Sequence, residues 1–249
     1  MKLEIVNNSN DSAEIPPDAK VRVFDFETTG LGPDDQIVEV GVVDLKLYTG
    51  DICEVTSQIV RPPKPIQPTA CAVHHITDDD VMSAPSWAEV GPQVFNGDPN
   101  VIAYAAHNAS FDRRLIGADL IGGKPFICTY KAALRLWPDA PGHKNQDLRY
   151  WLKLPVDRER AIPAHRALPD AYVTAHLLRE LLNHASIDDL VSWSQQPALL
   201  VNVGFGKHRG MKWTDVPGDY LDWMISKGDF NEDVLYTVQT VRRRRQGGA

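Results

Sequence analysis

Two carboxylates at alternate positions in one short apolar run constrain this chain more than any other feature. Val21 to Phe26 is β-branched and aromatic and breaks at Thr28-Thr29-Gly30, the composition of a strand that ends in a turn. Strand periodicity puts Asp25 and Glu27 on one face and Phe24 and Phe26 on the other. Carboxylates this close repel, and one keeps its proton unless a cation intervenes. The strand end therefore implies a metal with hard oxygen ligands. Taken alone, the pair reads first as an ordinary acidic strand end.

The rest of the chain alternates strand and helix patterns. Ile37 to Leu45 and Val55 to Val60 are further apolar runs with Gly50 and Asp51 between them, so strands one to three read as an antiparallel meander. Pro62, Pro63, Pro65 and Pro68 mark an irregular crossing. Thr77 caps Asp78, Asp79 and Asp80, whose charges suit a helix N-terminus. A helix with Val90 and Val94 follows, then a strand over Val101 to Tyr104 and a helix capped by Asn108 that buries Phe111 and Leu115. Phe126 to Cys128 reads as a fifth strand. Helices are expected over Lys131 to Leu136, Gln146 to Leu152 and Ala167 to Leu182, with a loop from Asp157 to His165. Ser186 and Asp189 open a last helix before Gln195-Gln196-Pro197 as a capping box. This order predicts an α/β domain with a mixed sheet.

Two more acidic positions fall where such a domain places chemistry. Asp112 stands in His107-Asn108-Ala109-Ser110-Phe111-Asp112, at a strand-to-helix junction, and Asp170 opens the longest helix, five residues after His165. A first-turn aspartate also simply complements the helix dipole. With an ordinary pKa of about 6.5, a loop histidine suits proton removal from a water near neutral pH. Phosphodiester cleavage needs an activated water and cations that neutralise the attacked phosphorus and the leaving oxygen, which two metals roughly 3.5 to 4 Å apart supply. Four carboxylates and one histidine match that requirement.

Together the three motifs resemble the histidine branch of the DEDD exonuclease superfamily (DEDDh), to which proofreading polymerase subunits and RNase T belong. The resemblance implies an RNase H-like mixed five-stranded sheet flanked by helices. It makes Asp25, Glu27, Asp112 and Asp170 the residues for two Mg²⁺ ions, with Mn²⁺ as substitute, and His165 the general base. It also implies that Thr28, Thr29, Leu31, Ile76, Asn108 and Phe111 line the 3′-terminal nucleotide by backbone contact, wedging and stacking. Phe111 and Leu31 are equally readable as core. Many members carry glycine where this chain has His75.

The stretch Phe205-Gly206-Lys207-His208-Arg209-Gly210, with Trp213, Asp215-Val216-Pro217, Asp219-Tyr220-Leu221 and Trp223, resembles the tail of the bacterial exonuclease X subfamily. The resemblance implies degradation of DNA from 3′ ends, with single strands and duplex ends as substrates. The implied reaction is 3′-to-5′ hydrolysis releasing nucleoside 5′-monophosphates, in DNA repair or turnover. Two alternatives stay open: an RNase T-like RNA exonuclease of the same fold, and a nucleic-acid-binding adaptor without chemistry.

The expected organisation is an N-terminal extension over 1–20, the catalytic domain over 21–184, a connecting helix and linker over 185–197, and a small α+β module with a basic tail over 198–249. In that module Trp213 and Trp223 suit a small core, and Tyr220, Leu221, Met224 and Ile225 the apolar face of a helix. The formal net charge of −7 argues against binding by bulk electrostatics, although metal ligation would cancel four negative charges. Arg113 and Arg114, then Lys207, His208, Arg209 and Lys212, then Arg242 to Arg245 form basic clusters suited to phosphates or to solvated faces. Three cysteines without CxxC spacing indicate neither a disulfide framework nor a thiolate metal site. Met1 to Lys20 lacks the apolar core of a signal peptide, and no stretch is long enough to span a bilayer. The expected location is cytoplasmic, with no membrane partner.

Overall fold

Strand β1 (Lys20–Thr28) has two burial environments because its side chains alternate. Val21 and Val23 enter one hydrophobic core, and Phe24 and Phe26 enter a second on the opposite face. The computed structural model describes residues 16–95 and 97–247, so most of the expected N-terminal extension lies outside the described residues. Strands β2 (Ile37–Lys46), β3 (Ile52–Ile59), β4 (Val101–Ala106) and β5 (Phe126–Cys128) complete a five-stranded sheet in the order β3-β2-β1-β4-β5. The β1–β2 and β2–β3 pairs are antiparallel, and the β1–β4 and β4–β5 pairs are parallel. The meander and the mixed sheet are as the sequence predicts.

Between β3 and β4 lie α1 (Pro68–His74), α2 (Asp78–Val81) and α3 (Trp87–Phe95). After β4 come α4 (Ala109–Ile116) and α5 (Ala118–Ile121), and after β5 come α6 (Thr129–Leu136), α7 (Asn145–Trp151), α8 (Ala167–Leu181) and α9 (Ile187–Gln195). Helix α8 packs on β1 and β2 and is covered from outside by α6 and α7, which is why it is buried on nearly every side. The aromatic core beneath the other face joins Phe24 edge-to-face with Phe95 and Phe126, at centroid distances of 5.2 and 5.5 Å.

The proline-rich crossing is more ordered than expected, because Pro68 occupies the first turn of α1, where a missing N–H costs nothing. That helix ends on His75 in the left-handed region (φ 59°), the conformation glycine adopts without penalty. At the position where the resemblance expects glycine, His75 is therefore held left-handed. Asn108 occupies the N-cap of α4 with φ 65° and makes no side-chain cap bond, contrary to its expected capping role. Thr77 and Ser186 behave as expected: Thr77 donates its N–H to Asp80 at 2.8 Å, and Ser186 accepts from Asp189 N–H at 3.1 Å.

Beyond α9, helices α10 (Gly218–Lys227) and α11 (Glu232–Gly247) enclose a separate small core of Val203, Trp213, Val216, Leu221, Met224 and Val238. The expected α+β character is reduced among the described residues to one isolated bridge, Asn202 with Lys212. Trp223 is not in that core: it is 47% exposed, because Leu221 and Met224 take the inward face of α10. No helix among the described residues is long and apolar enough to cross a membrane.

Candidate active site

The C-terminal end of β1, the helix after β4 and the first turn of α8 meet at one place, and each brings a carboxylate. Ligand oxygens of Asp25, Glu27 and Asp170 lie within 4.8 Å of one another. Asp112, on α4, is only 4% exposed and lies near enough to act electrostatically on both Asp25 and Glu27. Four separated positions in the sequence thus form one acidic centre.

Two backbone features allow α8 to approach. Asp25 pairs with Gly41 across β1 and β2, and a Cβ on Gly41 would lie 2.1 Å from Leu168 N and 2.2 Å from the Ala167 carbonyl carbon. Only glycine lets the start of α8 sit against β2 there. On the neighbouring position Glu39, buried in β2, accepts from Ala167 N–H at 2.9 Å and from Arg166 Nε at 3.0 Å. These contacts fix the first turn of α8 and hence Asp170. The carboxylate of Asp170 accepts from Gln146 Nε2 at 3.0 Å and from the His165 N–H at 2.7 Å. Arg149 orients Gln146 by donating to its Oε1 at 3.0 Å.

Charge in the centre is strongly disfavoured without a cation. Burial, then Asp170, Asp112, Glu27 and Glu39, push the Asp25 carboxyl well above the usual carboxylate range. Burial, reinforced by Asp170 and Glu39 against the opposing Arg166, raises Glu27 to about 8. Burial alone dominates at Asp112, also raised to about 8. Asp170 is raised by burial, with the Gln146 and His165 hydrogen bonds acting in the opposite direction. Buried carboxylates in this state are converted to ligands by a divalent cation, which supplies the missing countercharge. The oxygen-only donor set fits a hard ion.

His165 is exposed on the loop before α8, with a left-handed φ of 62°, beside Asp170. The predicted nucleotide-lining residues divide. Leu31 is 85% exposed, Asn108 is exposed, and the half-buried Phe111 carries the Arg114 guanidinium 4.8 Å above its ring. None of the three belongs to a core cluster. Thr29 and Ile76 do not line an open surface. Thr29 is fully buried, gives its N–H to Gln36 O at 2.8 Å and its hydroxyl to Asp35 at 2.8 Å. Ile76 packs with Val38, Ile66 and Val81. Thr28 is buried too, its hydroxyl donating to Gly30 O at 2.7 Å. The side chains of these three build the turn and its support, which leaves only their backbone for the expected nucleotide contact.

Glu39, Gly41, Gln146 and Arg166 escaped the sequence reading. An acidic residue and a glycine inside the apolar run Ile37 to Leu45 were its only local signal. Gln146 carries none, since its role arises from the packing of α7 on α8.

Residues 23–178 match the family described as Exonuclease. The chain belongs to that exonuclease family. It is 37% identical over 215 residues to exodeoxyribonuclease 10 of Escherichia coli (strain K12), covering 84% of this chain and 92% of the relative. A solved structure of exonuclease X in complex with 5′ overhanging duplex DNA is 36% identical and superposes with a TM-score of 0.61, over 70% of this chain and 99% of that one. The nuclease domain of 3′hExo, a DEDDh family member bound to rAMP, shares the fold at 21% identity and TM-score 0.52, over 68% of this chain and 94% of that one. This exonuclease is thus a nucleic-acid hydrolase of a divalent-metal-dependent family, and its acidic centre lies within the matched residues.

Proposed function

We propose that this exonuclease hydrolyses DNA from its 3′ end and releases nucleoside 5′-monophosphates, with Mg²⁺ as its natural ion. The observation that carries the proposal is the convergence of Asp25, Glu27 and Asp170 within 4.8 Å, with Asp112 buried beside them. The relative named exodeoxyribonuclease and the neighbour solved with DNA favour DNA over RNA.

Asp25, Glu27 and Asp170 would hold one ion, with Asp112 supporting a second. Bound there, the pair would activate a water and offset charge on the attacked phosphorus and the leaving oxygen. His165, exposed on its loop and tethered through its N–H to Asp170, takes the proton of the attacking water. The water oxygen bonds to phosphorus as the bond to the 3′ oxygen breaks, leaving a 3′-hydroxyl on the shortened strand. Leu31 and Phe111 offer apolar surface for the terminal base. Leu31, being so exposed, is suited to part the last pair of a duplex end.

The test is digestion of a 5′-labelled single-stranded DNA beside an RNA of the same sequence, with Mg²⁺, with Mn²⁺ and with EDTA. The expected result is a DNA ladder that shortens from the 3′ end and stops in EDTA. RNA cleavage without DNA cleavage would refute the polymer assignment, and cleavage that persists in EDTA would refute the metal.

A further inference from the structure

The C-terminal module carries a surface that the acidic centre does not use. Its core buries Trp213 completely, yet five other rings of the same small unit lie edge to edge outside that core or at its margin. His208 is 4.6 Å from Tyr220, Tyr220 is 5.2 Å from Trp223, and Trp223 is 6.2 Å from Phe230, measured between ring centroids. Phe205 closes the strip, stacked on Phe230 at 5.9 Å. Trp223 is 47% and Phe205 38% exposed, so the strip opens to solvent where these two sit.

Cations flank the rings. Lys227 Nζ lies 5.4 Å from the Trp223 centroid and 5.9 Å from that of Phe230. Lys207 and Arg209 are exposed on the turn that carries His208. Among the described residues these three cations make no ion pair with a carboxylate, whereas Arg242 is committed to Asp222 at 2.5 Å. Residues 198–249 hold eight Lys and Arg against six Asp and Glu, in a chain whose net charge is −7. The module is therefore positive on an otherwise acidic protein.

We propose that this strip is a second nucleic-acid site, which holds single strand by stacking bases on Trp223 and Phe205 and pairing phosphates with Lys207, Arg209 and Lys227. Every base offers a π-face and every nucleotide a phosphate, so rings interleaved with cations that have no carboxylate partner bind such a strand without regard to sequence. An apolar protein partner would be poorly matched by three unpaired cations. The strip also connects to the catalytic body. Asp233, three residues after Phe230, is ion-paired with Lys131 at 3.2 Å. Lys131 lines a groove of about 820 Å³ that also holds Ser110, Arg113 and Arg114, on the helix that carries Asp112. A strand anchored on the module has a cationic path onto the catalytic body.

The proposal rests on the nucleic-acid reading of the centre but is tested apart from cleavage. Anisotropy of the full chain with a labelled oligo(dT) of about twenty nucleotides, in EDTA, reads strand binding apart from cleavage. Trp223→Ala should weaken binding by about tenfold, the usual scale of one lost stacking contact, and Trp223→Phe should restore most of it. The double variant Lys207→Ala, Arg209→Ala should flatten the salt dependence of log K by roughly 1.4, about 0.7 per lost phosphate contact on a single strand. Turnover of a trinucleotide, too short to reach the module, should be unchanged in all three. Affinity within twofold of wild type in both Trp223→Ala and the double variant would overturn the proposal, as would an equal loss of trinucleotide turnover. A wild type that binds the strand but cleaves nothing would count against the proposed function alone.

Discussion

Gly41→Ala tests whether the close approach of α8 to β2 sets the geometry of the acidic centre. The added Cβ would lie 2.1 Å from Leu168 N and 2.4 Å from Ala167 O, and ordinary contact begins at 3.4 Å, so about 1.3 Å must be opened. The obstructing atoms are backbone, so no rotamer change relieves the clash, and β2 is held on both sides by β1 and β3. The start of α8 must move. Asp170 lies three residues beyond Ala167 and moves with it, relative to Asp25 and Glu27 on β1. Overpacking of this kind costs about 1–3 kcal/mol, which for a protein of this size lowers Tm by roughly 2–4 °C per kcal/mol. Misplacing a reacting group by about 1 Å costs on the order of 10² in rate. Single-turnover digestion of labelled DNA at saturating Mg²⁺, alongside calorimetry, separates the two effects: the variant should stay folded at 25 °C and lose about a hundredfold in rate. Full activity with an unchanged Tm would refute the argument that Gly41 admits the helix.

Other consequences are as direct. Asp25→Ala should abolish metal-dependent cleavage, and activity rescued by excess Mg²⁺ or Mn²⁺ would contradict its assignment as a ligand. His165→Ala should lower kcat by roughly 10² to 10⁴ while oligonucleotide affinity in EDTA stays the same; an unchanged kcat removes His165 from the mechanism. The stability of the metal-free protein should fall as pH rises from 6.5 to 8. Glu27 and Asp112, raised to about 8, still bind protons there that the unfolded chain has lost, and each such proton lowers stability by about 1.4 kcal/mol per pH unit. Below 6.5 the buried His107 and His176, both depressed to about 4, act in the opposite direction, since they charge more readily in the unfolded chain. Melting curves in EDTA that are flat or rising between pH 6.5 and 8 would be inconsistent with this, and saturating Mg²⁺ should flatten the decline.

The strands and the main helices were legible because a two-residue or 3.6-residue period writes burial directly into the sequence, as at Val21 to Phe26 and Ala167 to Leu181. The carboxylates were legible for the same reason: each ends a strand or opens a helix, positions that turn residues mark. What escaped were contacts between elements distant in sequence. Glu39 finds Arg166 across more than a hundred residues, and Gln146 reaches Asp170 only because α7 lies on α8. The Pro68 helix was missed because a proline cluster hides the one proline that suits a first turn. Trp223 was misassigned to a core because composition cannot tell which face of α10 turns inward once Leu221 and Met224 have filled it.

The arrangement also accounts for how an acidic chain handles a polyanion. Its buried carboxylates are gathered at one centre, where burial makes full ionisation unfavourable until divalent ions enter, so the residues that offer phosphate nothing in the metal-free protein create the site once loaded. Affinity for the strand must then come from elsewhere. Arg113 and Arg114 border the groove along α4, and the positive module lies at the end of it marked by Lys131. With the metal-binding and strand-binding charges on separate elements, removing Mg²⁺ should stop cleavage while leaving most of the affinity for a long single strand intact. A protein that gripped DNA chiefly through its ions would lose both together.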